Sequence, residues 1–152
     1  MELDRVRAHT ADHINEKLDA QRLMDVAGYV GQPAEKIAER ITELDAEWDV
    51  ERVLEANAAT LMLASVTLGA LHSRRWLVLA GVVPAFLLQH ALQGWCPPLE
   101  VLRRLGIRTR REIDAERTAL KAIRGDFDGA SLAGQLDPMN AAELALAAAG
   151  RR

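Results

Sequence analysis

The stretch FLLQHALQGWCPPLE, residues 86–100, gathers the residue types best able to do chemistry: the only cysteine, Cys96, with Gln89 and His90 shortly before it. A thiol at the start of a helix opening at Pro97 would lie among free backbone amides that favour a nucleophilic thiolate. Apolar surroundings oppose this by raising a thiol's pKa, and His90, the nearest base, lies on a different helical turn. Packing at a tight helix-to-helix corner is therefore the first expectation for Cys96, and a sulfur-carrier or redox role is the alternative. One cysteine excludes an internal disulfide framework and a cysteine-rich zinc site.

Gln89 and His90 interrupt an apolar run, and polar groups in such a setting need partners. In an antiparallel hairpin, residues early in one helix lie level with residues late in the next, so Glu55 and Asn57 are the expected partners. A structural hydrogen bond is favoured over proton relay, because His90 falls within about a turn of the end of the run. His9, His13 and Glu16 in HTADHINE are weak candidates for a divalent-metal set on one helical face. That spacing arises easily in any polar helix, and a solvated face is expected, with no cofactor and no bound metal. The arginines of RRLGIRTRR lack interleaved aromatics, which points to anionic lipid headgroups rather than nucleic acid.

Two apolar blocks must position these groups: VLEANAATLMLASVTLGAL, 53–71, and WLVLAGVVPAFLLQHAL, 76–92. At about 1.5 Å per residue they span ~28 Å and ~25 Å, close to the ~30 Å hydrocarbon core of a bilayer. Four residues, HSRR, separate them and force an antiparallel pair. Trp48, Trp76 and Trp95 each fall near an edge of a block, as residues of an interface belt do. Arg74 and Arg75 lie at the loop, whereas Arg52, Arg103, Arg104, Arg108, Arg110 and Arg111 flank the other side, which places both termini in the cytoplasm. Ser65 with Gly69, and Gly81 with Ala85, are small-residue pairs that permit close helix contact.

The flanks read as helices. ADHINEKLDAQRLMDVAG presents Ile14, Leu18, Met24 and Val26 on one side, with Thr10 as N-cap. A helix opening at Pro33 carries Ile37, Ile41, Leu44 and Trp48 as a narrow stripe, and nothing breaks it before the first apolar block, so one long helix is expected. CPPLEVLRRLG predicts a short helix over 97–105. TRREIDAERTALKAIRG has Thr109 and Glu112 at capping-box spacing, with Ile113, Leu120, Ile123 and Phe127 as a sparse apolar face. Residues up to Arg52 hold 13 acidic against 7 basic side chains, whereas Arg103 to Arg124 hold 8 basic against 3 acidic, so the two flanks have the charges to pair with each other. The start of the chain shows no signal-peptide pattern.

WDVERVLEANAATLML, the small-residue hairpin and FLLQHALQGWCPPLEVLRRLGIRT together resemble the bacterial YgaP-like inner-membrane domain family, a domain of unknown function. The resemblance covers about 48–109 and rests on Arg52, Asn57, the signature Trp95, Cys96, Pro97, and then Leu102, Leu105 and Gly106. It implies two short transmembrane helices. In the best-known member this domain anchors and dimerises a rhodanese sulfurtransferase, with a proposed part in exporting the sulfur product. These 152 residues leave no room for a rhodanese domain and hold no cysteine followed by a persulfide-cradling glycine loop. Sulfurtransferase activity is therefore not carried over.

The expectation is an all-α protein: a membrane two-helix antiparallel hairpin flanked by amphipathic cytoplasmic helices. Its parts are an amphipathic N-terminal region, 1–48, the hairpin domain, 49–109, an amphipathic helix, 110–127, and a flexible linker with a weak alanine-rich tail, 128–152. The expected role is a bacterial inner-membrane, multi-pass anchor or homo-oligomeric assembly module, not an enzyme, with a cytoplasmic protein as a further possible partner. The alternatives are the Cys96 sulfur carrier and a soluble helical-bundle interaction protein, in which both apolar helices would be buried.

Overall fold

A computed structural model of the protein describes residues 4–128, so the tail expected over 129–152 lies outside the described residues. Among the described residues every regular element is a helix: α1 (Arg5–Ala8), α2 (Asp12–Gly28), α3 (Ala34–Ala46), α4 (Val50–Leu71), α5 (Trp76–Gln93), α6 (Pro97–Arg104) and α7 (Arg110–Arg124). The described residues form two compact units, one from 4–19 together with 48–111, the other from 20–47 together with 112–128.

The first unit contains the hairpin. α4 starts earlier than its apolar block because Asp49 caps it, its carboxylate accepting from the Arg52 amide at 2.8 Å. This cap also overturns the single long helix: α3 ends at Ala46, Glu47 is extended (φ −64°, ψ 137°), and a new helix begins at Val50. Trp48, expected on the α3 stripe, instead lies half exposed beyond the end of that helix, with the Arg52 guanidinium 4.4 Å from its ring centroid. α4 and α5 pack together across the loop at 72–75, antiparallel as the short connection requires. Where they meet near the loop, Ser65 and Gly69 are buried.

Two helical stretches, one ending at Leu71 and the other Trp76–Gln93, are long and apolar enough to cross a membrane, yet only 17% and 6% of their apolar windows is buried. Leu63, Leu71, Val78, Leu88 and Leu92 are among the side chains left exposed. Each such side chain kept in water forgoes about 1.5–3 kcal/mol of burial energy. Several together match the about 5–15 kcal/mol that stabilises a typical domain. A continuous apolar surface of this size is therefore suited to lipid rather than water, and the buried central helices of a soluble bundle are not what the fold shows. Pro84 withholds one amide from α5 without interrupting it, a feature membrane helices accommodate.

At the end of the hairpin remote from the loop, a small core forms from Val6, Val50, Leu54, Cys96 and Leu99, with Trp95, Leu102 and Ile107 against it. The Val50 amide donates to the Arg108 carbonyl at 2.9 Å, tying the start of α4 to the segment after α6. Thr10 does not cap α2. Its hydroxyl donates to the Val6 carbonyl at 2.7 Å, and the helix begins at Asp12. Met24, expected on the apolar side of α2, is exposed, whereas Ile14 and Leu18 are buried.

The second unit joins α3 to α7. Ile37, Ile41 and Leu44, the predicted stripe, pack with Ile113 and Leu120, and Tyr29 lies against them. Ile123, predicted on the same face, is partly exposed. The charged flanks do meet within this unit, in both senses. Arg117 pairs with Asp45 at 2.8 Å, and Arg40 pairs with Glu116 at 2.9 Å. Glu116 is fully buried on the same face as Ile113 and Leu120.

Candidate functional site

The polar and reactive residues of the first unit converge at the foot of the hairpin, where α4 begins, α5 ends and α6 turns away. α5 stops at Gly94, whose φ of +75° is the left-handed conformation that ends many helices, and whose amide donates to the His90 carbonyl at 2.7 Å. Glycine is needed there for space as well. A Cβ at position 94 would lie 2.5 Å from Arg5 Cβ. Arg5 Nη1 in turn donates to the Ala91 carbonyl at 3.2 Å, so α1 is seated on the last turn of α5.

Cys96 stands at the N-cap of α6 in extended backbone, but its side chain caps nothing and is only 2% exposed. Burial raises its thiol pKa, and a hydrogen bond from the Leu99 amide lowers it by less. The helix start therefore does not produce a thiolate here. The desolvation expected of apolar surroundings is the larger effect, and Cys96 packs in the small core.

His90 is nine-tenths buried, and its Nδ1 has no hydrogen-bond partner among the described residues. The expected pairing with Asn57 or Glu55 is absent. Asn57 is exposed, and its amide donates to the Val53 carbonyl of its own helix at 2.8 Å. Glu55, however, shares a cleft of about 680 Å³ with His90. Glu51, Arg5, Arg110 and Arg111 also line this cleft, and Leu54 and Leu87 form apolar wall. Leu54 and Leu87 also wall a second hollow of about 320 Å³, almost wholly apolar, that reaches Phe86, Cys96 and Leu102. Gln89 is half-buried and lines neither.

Arg103 was expected among the headgroup-facing arginines, but it is 1% exposed. Its guanidinium donates to Thr10 Oγ1 at 3.2 Å, Asn15 Oδ1 at 3.1 Å and the Ile107 carbonyl at 3.0 Å. Asn15 completes the arrangement by donating to the Arg7 and Thr10 carbonyls. Arg104 remains exposed and pairs with Glu100. Arg74, Arg75 and Trp76 are exposed at the hairpin loop, whereas Trp95 packs against the small core.

His9, His13 and Glu16 do not share one helical face. His9 is the C-cap of α1, with Nδ1 2.8 Å from the Arg5 carbonyl, and His13 and Glu16 lie on α2. Among the described residues no group of three His, Cys, Asp or Glu side chains could hold a metal ion. Of the small pairs, Ser65 and Gly69 face α5, but Gly81 and Ala85 are exposed, and a Cβ at Gly81 would meet nothing within 4 Å. Sequence reasoning missed Arg5 and Glu51. Glu51 carried a signal, since it precedes Glu55 by one helical turn at the entry to the apolar block.

Residues 49–112 match the family model described as Inner membrane protein YgaP-like, transmembrane domain. This is the family that Arg52, Asn57 and the Trp95, Cys96, Pro97 signature resemble. Together with the exposed apolar hairpin, the match supports a membrane location. No curated protein and no solved structure matches the chain.

Proposed function

We propose that this protein is an anchor and homo-oligomeric assembly module of the inner membrane, built on the YgaP-like transmembrane domain at 49–112, with no catalysis of its own. The observation that carries the reading is the hairpin's surface. Its apolar side chains are turned outward along both helices, while the second unit has a separate core of its own. The hairpin fixes the chain in the bilayer, and the α3–α7 unit is the part available to a cytoplasmic partner. Burial of Cys96, with its thiol held neutral, speaks for packing rather than sulfur transfer. Self-association has a suitable surface in Gly81 and Ala85, small residues on an open face of α5, where close helix approach does not depend on a hydrophobic driving force. The distribution of arginines supports a hairpin loop outside and both flanks in the cytoplasm.

The test is carbonate extraction of membranes from expressing cells, with topology read from single cysteines at Ser73 and Thr118 in a Cys96→Ser background. Retention in the membrane, with position 73 labelled from outside and position 118 protected, is expected. Release into the supernatant would overturn the anchor. Crosslinking in native membranes tests assembly, and a monomer throughout would overturn the oligomer.

A further inference from the structure

The two hollows at the foot of the hairpin share the walls Leu54 and Leu87, one mixing charged side chains with apolar wall and the other almost wholly apolar. Adjoining polar and apolar compartments suit an amphiphile. We propose that this foot binds a phospholipid with a primary-amine headgroup, of the phosphatidylethanolamine type, and this rests on the membrane-hairpin reading above.

The polar cleft has the donors and acceptors such a headgroup requires. Glu51 and Glu55 lie one helical turn apart on α4, and among the described residues neither has an ion-pair partner. Two carboxylates on one wall of a cleft, neither held in an ion pair, can receive a bound cation. His90 also lines the cleft, and its buried ring nitrogen, Nδ1, has no partner among the described residues. An ammonium supplies three hydrogen-bond donors, enough for both carboxylates and the imidazole. Arg5, Arg110 and Arg111 line the cleft as well, and guanidinium groups suit a phosphate. Acidic and basic walls in one cleft match a zwitterion better than a purely anionic headgroup. The cleft is also at the right depth. Glu51 and Glu55 stand in the first turns of α4 and His90 in the last turn of α5, the level at which headgroups lie. The apolar hollow beside it, walled by Phe86, Leu87 and Leu102, takes the start of an acyl chain.

The experiment is native mass spectrometry of the delipidated full chain in detergent, titrated separately with palmitoyl-oleoyl phosphatidylethanolamine, phosphatidylglycerol and phosphatidylcholine. The ethanolamine lipid is expected to bind best, by about tenfold, the equivalent of one charge-assisted hydrogen bond. The choline lipid has the same charges but no N–H, so it isolates the hydrogen-bonding part of the claim. Glu51→Gln with Glu55→Gln should remove the preference, while Glu35→Gln with Glu39→Gln, the same charge change on α3, should preserve it. Equal binding of the three lipids, a preference for the glycerol lipid, or an unaltered Glu51/Glu55 variant would each overturn the proposal. The carbonate result separates the two failures. A membrane-retained protein without lipid preference defeats only this inference, whereas a protein released by carbonate defeats the membrane reading beneath it.

Discussion

Leu77 approaches Gly69 so closely that a Cβ added at position 69 would lie 2.5 Å from Leu77 Cδ2 and 2.9 Å from its Cγ. This contact fixes the separation of α4 and α5 beside the hairpin loop. Gly69→Ala would push Leu77 out of place, and overpacking of this kind typically costs about 1–3 kcal/mol. The expected result is a lowered melting temperature in detergent. Gly28→Ala is the control, because a Cβ there meets nothing within 4 Å and the change removes a flexible residue from a helix, so it should leave melting unchanged or raise it. Equal effects at the two positions would remove the packing role assigned to Gly69.

Cys96 should behave as a neutral, shielded thiol. Burial lifts its pKa above the ordinary thiol range, so alkylation by iodoacetamide near neutral pH should be much slower in the folded protein than in the unfolded chain. The sign for stability follows from the same shift. The folded state keeps the proton at a pH where the unfolded state has begun to lose it. The contribution of the neutral thiol is therefore full below the ordinary thiol pKa and declines as the pH rises above it. Cys96→Ser should flatten that alkaline decline. Fast labelling of the folded protein at neutral pH would instead favour the sulfur-carrier alternative.

The hairpin was legible in the sequence because lipid-facing helices are apolar all round, and nothing else in the chain reads that way. The α3 stripe was legible for a related reason: Ile37, Ile41 and Leu44 recur at helical spacing. What escaped was the set of charged residues used inside. Glu116 occupies the stripe position between Ile113 and Leu120, and Arg103 lies in an arginine cluster that looks solvated. Periodicity assigns a charged residue to water unless a partner distant in sequence is known. The break at Glu47 to Asp49 escaped because an aspartate caps a helix only when the backbone before it is extended, and residues 47–49 contain no proline or glycine to announce that. At the foot of the hairpin, the sequence supplied Glu55 and His90. It did not supply the cleft around them, which depends on the seating of Arg5 on the end of α5.

Arg103 should hold the N-terminal segment in place. Arg103→Met keeps much of the side-chain stem but leaves Asn15 Oδ1 and the Ile107 carbonyl without their donor, at about 1–3 kcal/mol for each acceptor left buried and unpaired. Melting should fall, and trypsin should cut after Arg7 and Lys17 sooner than in the parent protein. Arg103→Lys should recover only part of the loss, because an ammonium cannot span three separated acceptors as a guanidinium fork does. Unchanged melting and unchanged cleavage in Arg103→Met would show that these hydrogen bonds do not secure the segment.

The Arg40–Glu116 pair makes the sharpest prediction for the second unit, since one partner is fully buried and the other is 21% exposed. Arg40 Nε and Nη2 both donate to Glu116 Oε1, at 3.0 and 2.9 Å. Removing Arg40 alone leaves a buried carboxylate without its main counter-charge, a change that typically costs about 3–5 kcal/mol. Replacing both residues with leucine removes the desolvation penalty along with the attraction, and such exchanges are often neutral or stabilising. Arg40→Leu should therefore be strongly destabilising, and Arg40→Leu with Glu116→Leu should recover much of the loss. Chemical denaturation of the four proteins of this cycle gives the coupling directly. If the two single losses simply added in the double variant, the pair would contribute no more than a surface ion pair does.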